Sequence, residues 1–125
     1  MAIIVSEFHF FQLFIDGACF RSTEALHAEF SFKLGLPTWY ESNWDALLDC
    51  LSSIGSRRDN LCLNWDWVDG KRLVLLIRNF SSHEADPETL LPFLKMIAEA
   101  NDRLAVGKSQ NRIWASFHSS SSATG

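Results

Sequence analysis

Apolar residues occur along this chain in runs, in alternation and at helical spacing, and each pattern predicts a different element. Residues 9–15 form a short aromatic and β-branched run closed by Asp16-Gly17, which predicts a buried strand followed by a turn. Ser22 or Thr23 then stands where a helix cap is needed, with Leu26 and Phe30 on the core side of that helix and Ala25, Phe32 and Leu34 flanking them. Gly35 and Pro37 end it. The clearest amphipathic helix begins at Ser42 or Asn43. Its Trp44, Leu47, Leu48, Leu51 and Ile54 recur at helical spacing and make one apolar stripe that ends near Gly55.

Between Arg72 and Arg78 the chain is continuously apolar, the pattern of a strand covered on both faces. Asp86-Pro87-Glu88 opens another helix, for which Leu90, Leu91, Leu94, Ile97 and Ala98 are the expected buried stripe; Pro92 is tolerated because it lies in the first turns. Residues 111–117, with Ile113, Trp114 and Phe117, complete the set as a last strand. Strands separated by helices long enough to cross over imply an α/β fold with a small three-stranded parallel sheet packed by helices. Residues 61–68 alternate, and Asp69-Gly70 leads straight into the next strand, so an extra antiparallel strand and an aromatic loop or short helix are both open there. A single domain is expected over residues 1–118, followed by a Ser-rich, disordered tail at 119–125.

The 125 residues are 47% apolar, enough for a core without metal or disulfide support, whereas chains below about 40 residues usually need one. No cofactor and no metal is expected. No apolar run approaches the roughly 18 residues of a membrane helix, so no membrane partner is expected either. The N-terminal stretch is apolar but carries Glu7, His9 and Asp16 and no basic leader, which points to the cytoplasm. Cys19, Cys50 and Cys62 are odd in number and form no CxxC pair, the usage of reduced, buried thiols.

The net charge of -4 is unevenly distributed. No Lys or Arg lies between Lys33 and Arg57, where Glu41, Asp45 and Asp49 all fall; from Arg103 onward there are Arg103, Lys108 and Arg112 and no acid. An acidic segment disfavours direct nucleic-acid binding and favours a cationic partner. On a helix beginning near Asn43, Asp45 and Asp49 share one face opposite the leucine stripe, with Ser42, Ser52 and Ser56 nearby. Like charges at this spacing cost an isolated helix about 0.2–0.5 kcal/mol, so the pair does not serve helix stability. A plainer account is open for each residue. Asp45 complements the macrodipole and fits a capping box with Ser42, and Asp49 belongs to a solvated face.

Residues 36–51 read Leu36-Pro37-Thr38-Trp39-Tyr40-Glu41-Ser42-Asn43-Trp44-Asp45-Ala46-Leu47-Leu48-Asp49-Cys50-Leu51. This resembles the signature of the barstar family of ribonuclease inhibitors, Leu-Pro-x-aromatic-Tyr-x-x-Asn-x-Asp-Ala-Leu-x-Asp-Cys-Leu. Weaker resemblance extends to residues 14–17, 22–34 and 73–80. It implies a barstar-like fold of three parallel strands packed by helices, in agreement with the periodicity. It also implies an acidic helix and preceding loop that plug the cationic active site of a secreted ribonuclease or toxin domain. By the same resemblance Asp49 occupies the enzyme's phosphate site, Asp45 is a second acidic contact, Trp39 matches an enzyme-contacting Tyr, and Asn43 matches the Asn at the helix start. Leu48 and Ser52 fall on the contact surface. The family's acid on the last helix corresponds to Glu99, with Met96 as the other candidate for its place. Leu48 and Ile54 depart from Trp, Glu41-Ser42 from Gly-Glu and Ser52-Ser53 from Thr-Gly, and residues 56–70 are inserted before the second strand. The partner implied is a basic ribonuclease, and the free protein is expected to be a monomer.

An enzyme would use Asp45 and Asp49 as an acid–base pair, or Cys50 with His9, His27, His83 or His118 as a thiol nucleophile and base. Neither spacing supports this, so no enzymatic activity is expected. The other class left open is a non-inhibitory interaction module in which the same helix binds another basic protein and Trp65 and Trp67 add an aromatic anchor.

Overall fold

The computed structural model describes residues 2–5, 8–62 and 71–119. Along the chain come strand β1 (Ala2–Val5), strand β2 (Phe8–Asp16), a 3-10 turn (Gly17–Arg21), helix α1 (Thr23–Leu34), helix α2 (Trp44–Ser52), a second 3-10 turn (Ser53–Gly55), strand β3 (Lys71–Phe80), helix α3 (Pro87–Val106) and strand β4 (Arg112–Ser119). The sheet runs in the order β1-β2-β3-β4. As the spacing of strands and helices required, β2, β3 and β4 are parallel, with Leu13 beside Leu75 and Leu75 beside Ala115. β1 adds an antiparallel edge, Ala2 opposite Phe11 and Val5 opposite Phe8. That strand was not anticipated: Ala2-Ile3-Ile4-Val5 has strand propensity but is too short to show a period. Leu61 and Cys62 are irregular, and residues 63–68, where an extra antiparallel strand was one alternative, lie outside the described residues, as does the tail beyond Ser119.

Local chemistry explains the boundaries. The Ser22 hydroxyl oxygen accepts from Ala25 N at 3.1 Å and caps α1, and Gly35 ends that helix in the left-handed conformation at φ 66. Asp86 caps α3, accepting from Glu88 N at 3.2 Å, with Pro87 in the first turn. At Gly17 a Cβ would stand 2.6 Å from Phe80 Cα and 2.7 Å from Arg78 O, so the turn after β2 packs directly on the backbone of β3.

Ile15, Leu73, Leu75, Ile77 and Ile113 point from the sheet into a core completed by Phe20, Leu26, Phe30, Leu47, Leu51, Phe93 and Leu104. Two expectations are corrected here. β3 is not equally covered on both faces: Leu73, Leu75 and Ile77 are fully buried, but the intervening Val74 and Leu76 are only half-buried. The buried stripe of α3 is rotated from the one expected. It runs through Thr89, Phe93, Met96, Ile97, Ala100 and Leu104, whereas Leu91 and Leu94 are exposed and Ala98 faces solvent. A buried threonine disguises it. The Thr89 hydroxyl donates to Asp86 Oδ2 at 3.0 Å and meets Thr23 Oγ1 at 2.9 Å, so a polar residue is satisfied where periodicity looks for leucine. On α1, likewise, Phe32 is exposed and His27 is buried.

Two asparagines tie α3 to β4 and the 3-10 turn after α2 to the residue that precedes β4. Asn101 Nδ2 donates to Ile113 O at 2.9 Å while its Oδ1 accepts from Ile113 N at 2.8 Å; buried Asn111 donates to Ile54 O at 2.7 Å. Helices α2 and α3 are thereby held side by side.

Candidate functional site

Burial of Leu47, Cys50, Leu51 and Ile54 fixes the rotation of α2 and leaves Asp45 and Asp49 on its exposed side, one turn apart. Asn43 caps the helix, its Oδ1 accepting from Ala46 N at 2.8 Å. The expected Ser42–Asp45 capping box is therefore absent. Ser42 precedes the cap and takes a left-handed backbone at φ 55, a conformation that costs a non-glycine residue roughly 1–2 kcal/mol. It turns the chain sharply between the loop and the helix, so that Trp39 and Glu41 stand beside Asp45.

The loop is tied to the core from below. Tyr40 donates its backbone N–H to Pro37 O at 3.0 Å, and its hydroxyl is hydrogen-bonded to Nδ1 of His27, a buried residue of α1. The His27 ring also lies 5.0 Å from the Trp44 ring, and its Nε2 has no hydrogen-bond partner. Burial lowers the pKa of this imidazole from 6.5, so the folded protein holds it neutral. The sign for stability follows: below 6.5 the unfolded chain binds a proton that the folded chain refuses. The His27 contribution is complete above 6.5 and is lost as pH falls from there toward the lower folded value. The urea midpoint is expected to drop between about pH 7.5 and about pH 5, and His27→Gln is expected to flatten that step. A midpoint independent of pH over this range in the unaltered protein would contradict it.

Trp39, Glu41, Asn43, Trp44, Asp45, Ala46, Asp49 and Leu61 line an open groove of about 780 Å³. Trp39 is 61% exposed on its rim. A smaller groove of about 200 Å³ continues between α2 and α3, bordered by Trp44, Asp45, Leu48, Pro92, Lys95, Met96 and Glu99. Leu48, only 4% exposed, and buried Met96 belong to its floor, while Glu99 is exposed at its edge. Ser52 turns back on its own helix, its hydroxyl donating to Leu48 O at 2.5 Å. The fold thus gathers Trp39, Asn43, Asp45, Leu48, Asp49 and Glu99 around two adjoining grooves and leaves Ser52 half-buried beside them.

Sequence patterning missed the cations that α3 brings to this acidic face. Arg103 Nη1 donates to Asp49 Oδ1 at 2.8 Å, and Lys95 lines the smaller groove. By sequence Arg103 opens the basic C-terminal stretch, apparently remote from the acids; the return of α3 across α2 cancels that separation.

The cysteines are buried and unpaired. Burial raises the Cys50 thiol pKa and pushes Cys19 and Cys62 up to about 12, and Cys62 Sγ donates to Cys50 O at 3.3 Å. Burial thereby disfavours the thiolate that nucleophilic attack requires. Among the described residues, no group of three His, Cys, Asp or Glu side chains is placed to hold a metal ion, and no helix is long and apolar enough to cross a membrane.

Comparison with known proteins bears on this surface. Residues 10–117 match the family described as Barstar (barnase inhibitor). The chain is also 36% identical over 69 residues to a Bacillus subtilis (strain 168) protein named "Putative ribonuclease inhibitor YrdF". That alignment covers 55% of this chain and 60% of the relative's length.

Proposed function

Because the chain belongs to the barstar family, we propose that it inhibits a ribonuclease by presenting α2 and the preceding loop to the enzyme's cationic active site. The observation that carries this reading is the exposure of Asp45 and Asp49, one turn apart on a capped helix, beside an open groove. A ribonuclease gathers Lys, Arg and His around a phosphodiester, and a carboxylate held in place on a helix can satisfy those donors as a phosphate does. Asp49 is the phosphate mimic and Asp45 the second acidic contact. Trp39 supplies an aromatic anchor, Asn43 fixes the helix start, Leu48 and Ser52 back the contact surface, and Glu99 extends the acidic face onto α3. The family match and the relative's name support ribonuclease inhibition as the general activity.

The protein acts by occupying the site and performs no turnover. Its place of action is the cytoplasm, where RNA needs protection from the cell's own enzyme or a rival's toxin, and the free protein is a monomer. Titration into RNA cleavage by a panel of small basic ribonucleases, barnase first, tests this. Inhibition at one inhibitor per enzyme is expected, weakening steeply as salt rises from about 0.1 to about 1 M and the screening length shrinks from about 10 to about 3 Å. Binding without inhibition would favour the non-inhibitory interaction module, and inhibition indifferent to salt would refute an electrostatic plug.

A further inference from the structure

Asp45 and Asp49 are one turn apart on α2, yet they sit in different fields. Asp49 Oδ1 accepts from Arg103 Nη1 at 2.8 Å, whereas among the described residues Asp45 takes part in no ion pair. The Asp49 and Arg103 side chains are 68% and 46% exposed, so the ion pair is open to solvent and to an approaching partner. A partner that brings cations to Asp49 meets a resident cation already bound there. An exposed ion pair of this kind is weak, worth about fivefold in an equilibrium constant at most, so it can be exchanged.

We propose that Arg103 is a specificity-determining residue of this surface, an internal counter-ion that shields Asp49 and lowers its affinity for cationic active sites. The proposal rests on the inhibitory reading of α2 and goes beyond it. A partner must displace Arg103 from the carboxylate, and this penalises sites that offer only a loose positive field. It favours those whose guanidinium donors bind the carboxylate in a bidentate fork. Asp45, which takes part in no ion pair among the described residues, is left to contribute long-range attraction.

The test is a double-mutant cycle on the full chain with barnase as the probe, comparing wild type, Arg103→Ala, Asp49→Ala and the double variant by equilibrium binding. Lys108→Asn is the control for net charge alone: it removes one exposed cation elsewhere and suits the left-handed backbone at that position (φ 63). Arg103→Ala is expected to bind about three- to fivefold tighter than wild type, with Lys108→Asn changing affinity less than about twofold. The gain is expected to vanish in the Asp49→Ala background. Shielding is overturned, with the inhibitory reading intact, if Arg103→Ala binds no tighter than wild type. It is equally overturned if the gain persists without Asp49 or is matched by Lys108→Asn. If no variant binds barnase, or Asp49→Ala binds as tightly as wild type, the inhibitory reading of Asp49 fails and the shielding falls with it.

Discussion

Replacing Asp49 by alanine is expected to weaken a ribonuclease complex by about 2–5 kcal/mol, the range for truncating one partner of a buried, hydrogen-bonded charge pair, to which the barnase–barstar complex itself contributes. In binding terms this is roughly 30-fold to several thousandfold. The enzyme's phosphate-binding donors lose the carboxylate and remain desolvated without a partner. The fold itself should not notice. Asp49 is exposed in the body of α2 and alanine is the best helix former, so urea unfolding is expected to change by less than about 0.5 kcal/mol. Inhibition titrations and urea curves on the same preparations separate the two outcomes, and a variant that inhibits like wild type would remove Asp49 from the contact. Asp45→Ala should cost less if Asp49 alone takes the phosphate site.

The largest stability effect is expected at Phe20. It lies in the 3-10 turn between β2 and α1, fully buried, with its ring edge-on to Phe80 at 5.7 Å, Phe93 at 5.0 Å and Phe117 at 5.7 Å. These three partners come from β3, α3 and β4, so a single side chain joins three separate elements to the first crossover. Phe20→Ala removes its buried area and leaves a cavity that three rings from separate elements cannot all close, a loss of about 3–5 kcal/mol. The urea midpoint should fall with an unchanged slope. Leu91→Ala serves as contrast: Leu91 is 60% exposed on α3, and its truncation is expected to cost less than about 0.5 kcal/mol. Equal losses at the two positions would mean that the core is not centred on Phe20.

Periodicity carried the α2 stripe to the correct face, and capping chemistry located the starts of α1 and α3, because those features are written in residues close together in the chain. It failed on α3, where Thr89 begins the buried stripe and Leu91 and Leu94 do not belong to it. The exchange is intelligible only in three dimensions, since the Thr89 hydroxyl is satisfied by Asp86 and Thr23, the latter 66 residues away. His27 is the same case from the other side. A polar residue on the core side of α1 looks like a surface position until Tyr40 and Trp44 from the following loop and helix are seen to enclose it.

The sequence by itself determined that this chain carries a base-free acidic segment, that two of its acids share one helical face, and that the segment resembles the barstar signature; charge, period and motif are all local properties. Tertiary structure alone decided what those acids experience. The path of α3 is set by its hydrogen bonds through Asn101 to β4 and by the burial of Phe93 and Leu104, and it brings Arg103 to Asp49 and Glu99 to the groove beside Asp45. Coulomb energy depends on distance through space and on local screening, not on separation along the chain. A charge count over neighbouring residues therefore identifies the acidic face, but it cannot distinguish Asp49, paired with Arg103, from Asp45, which has no ion pair among the described residues.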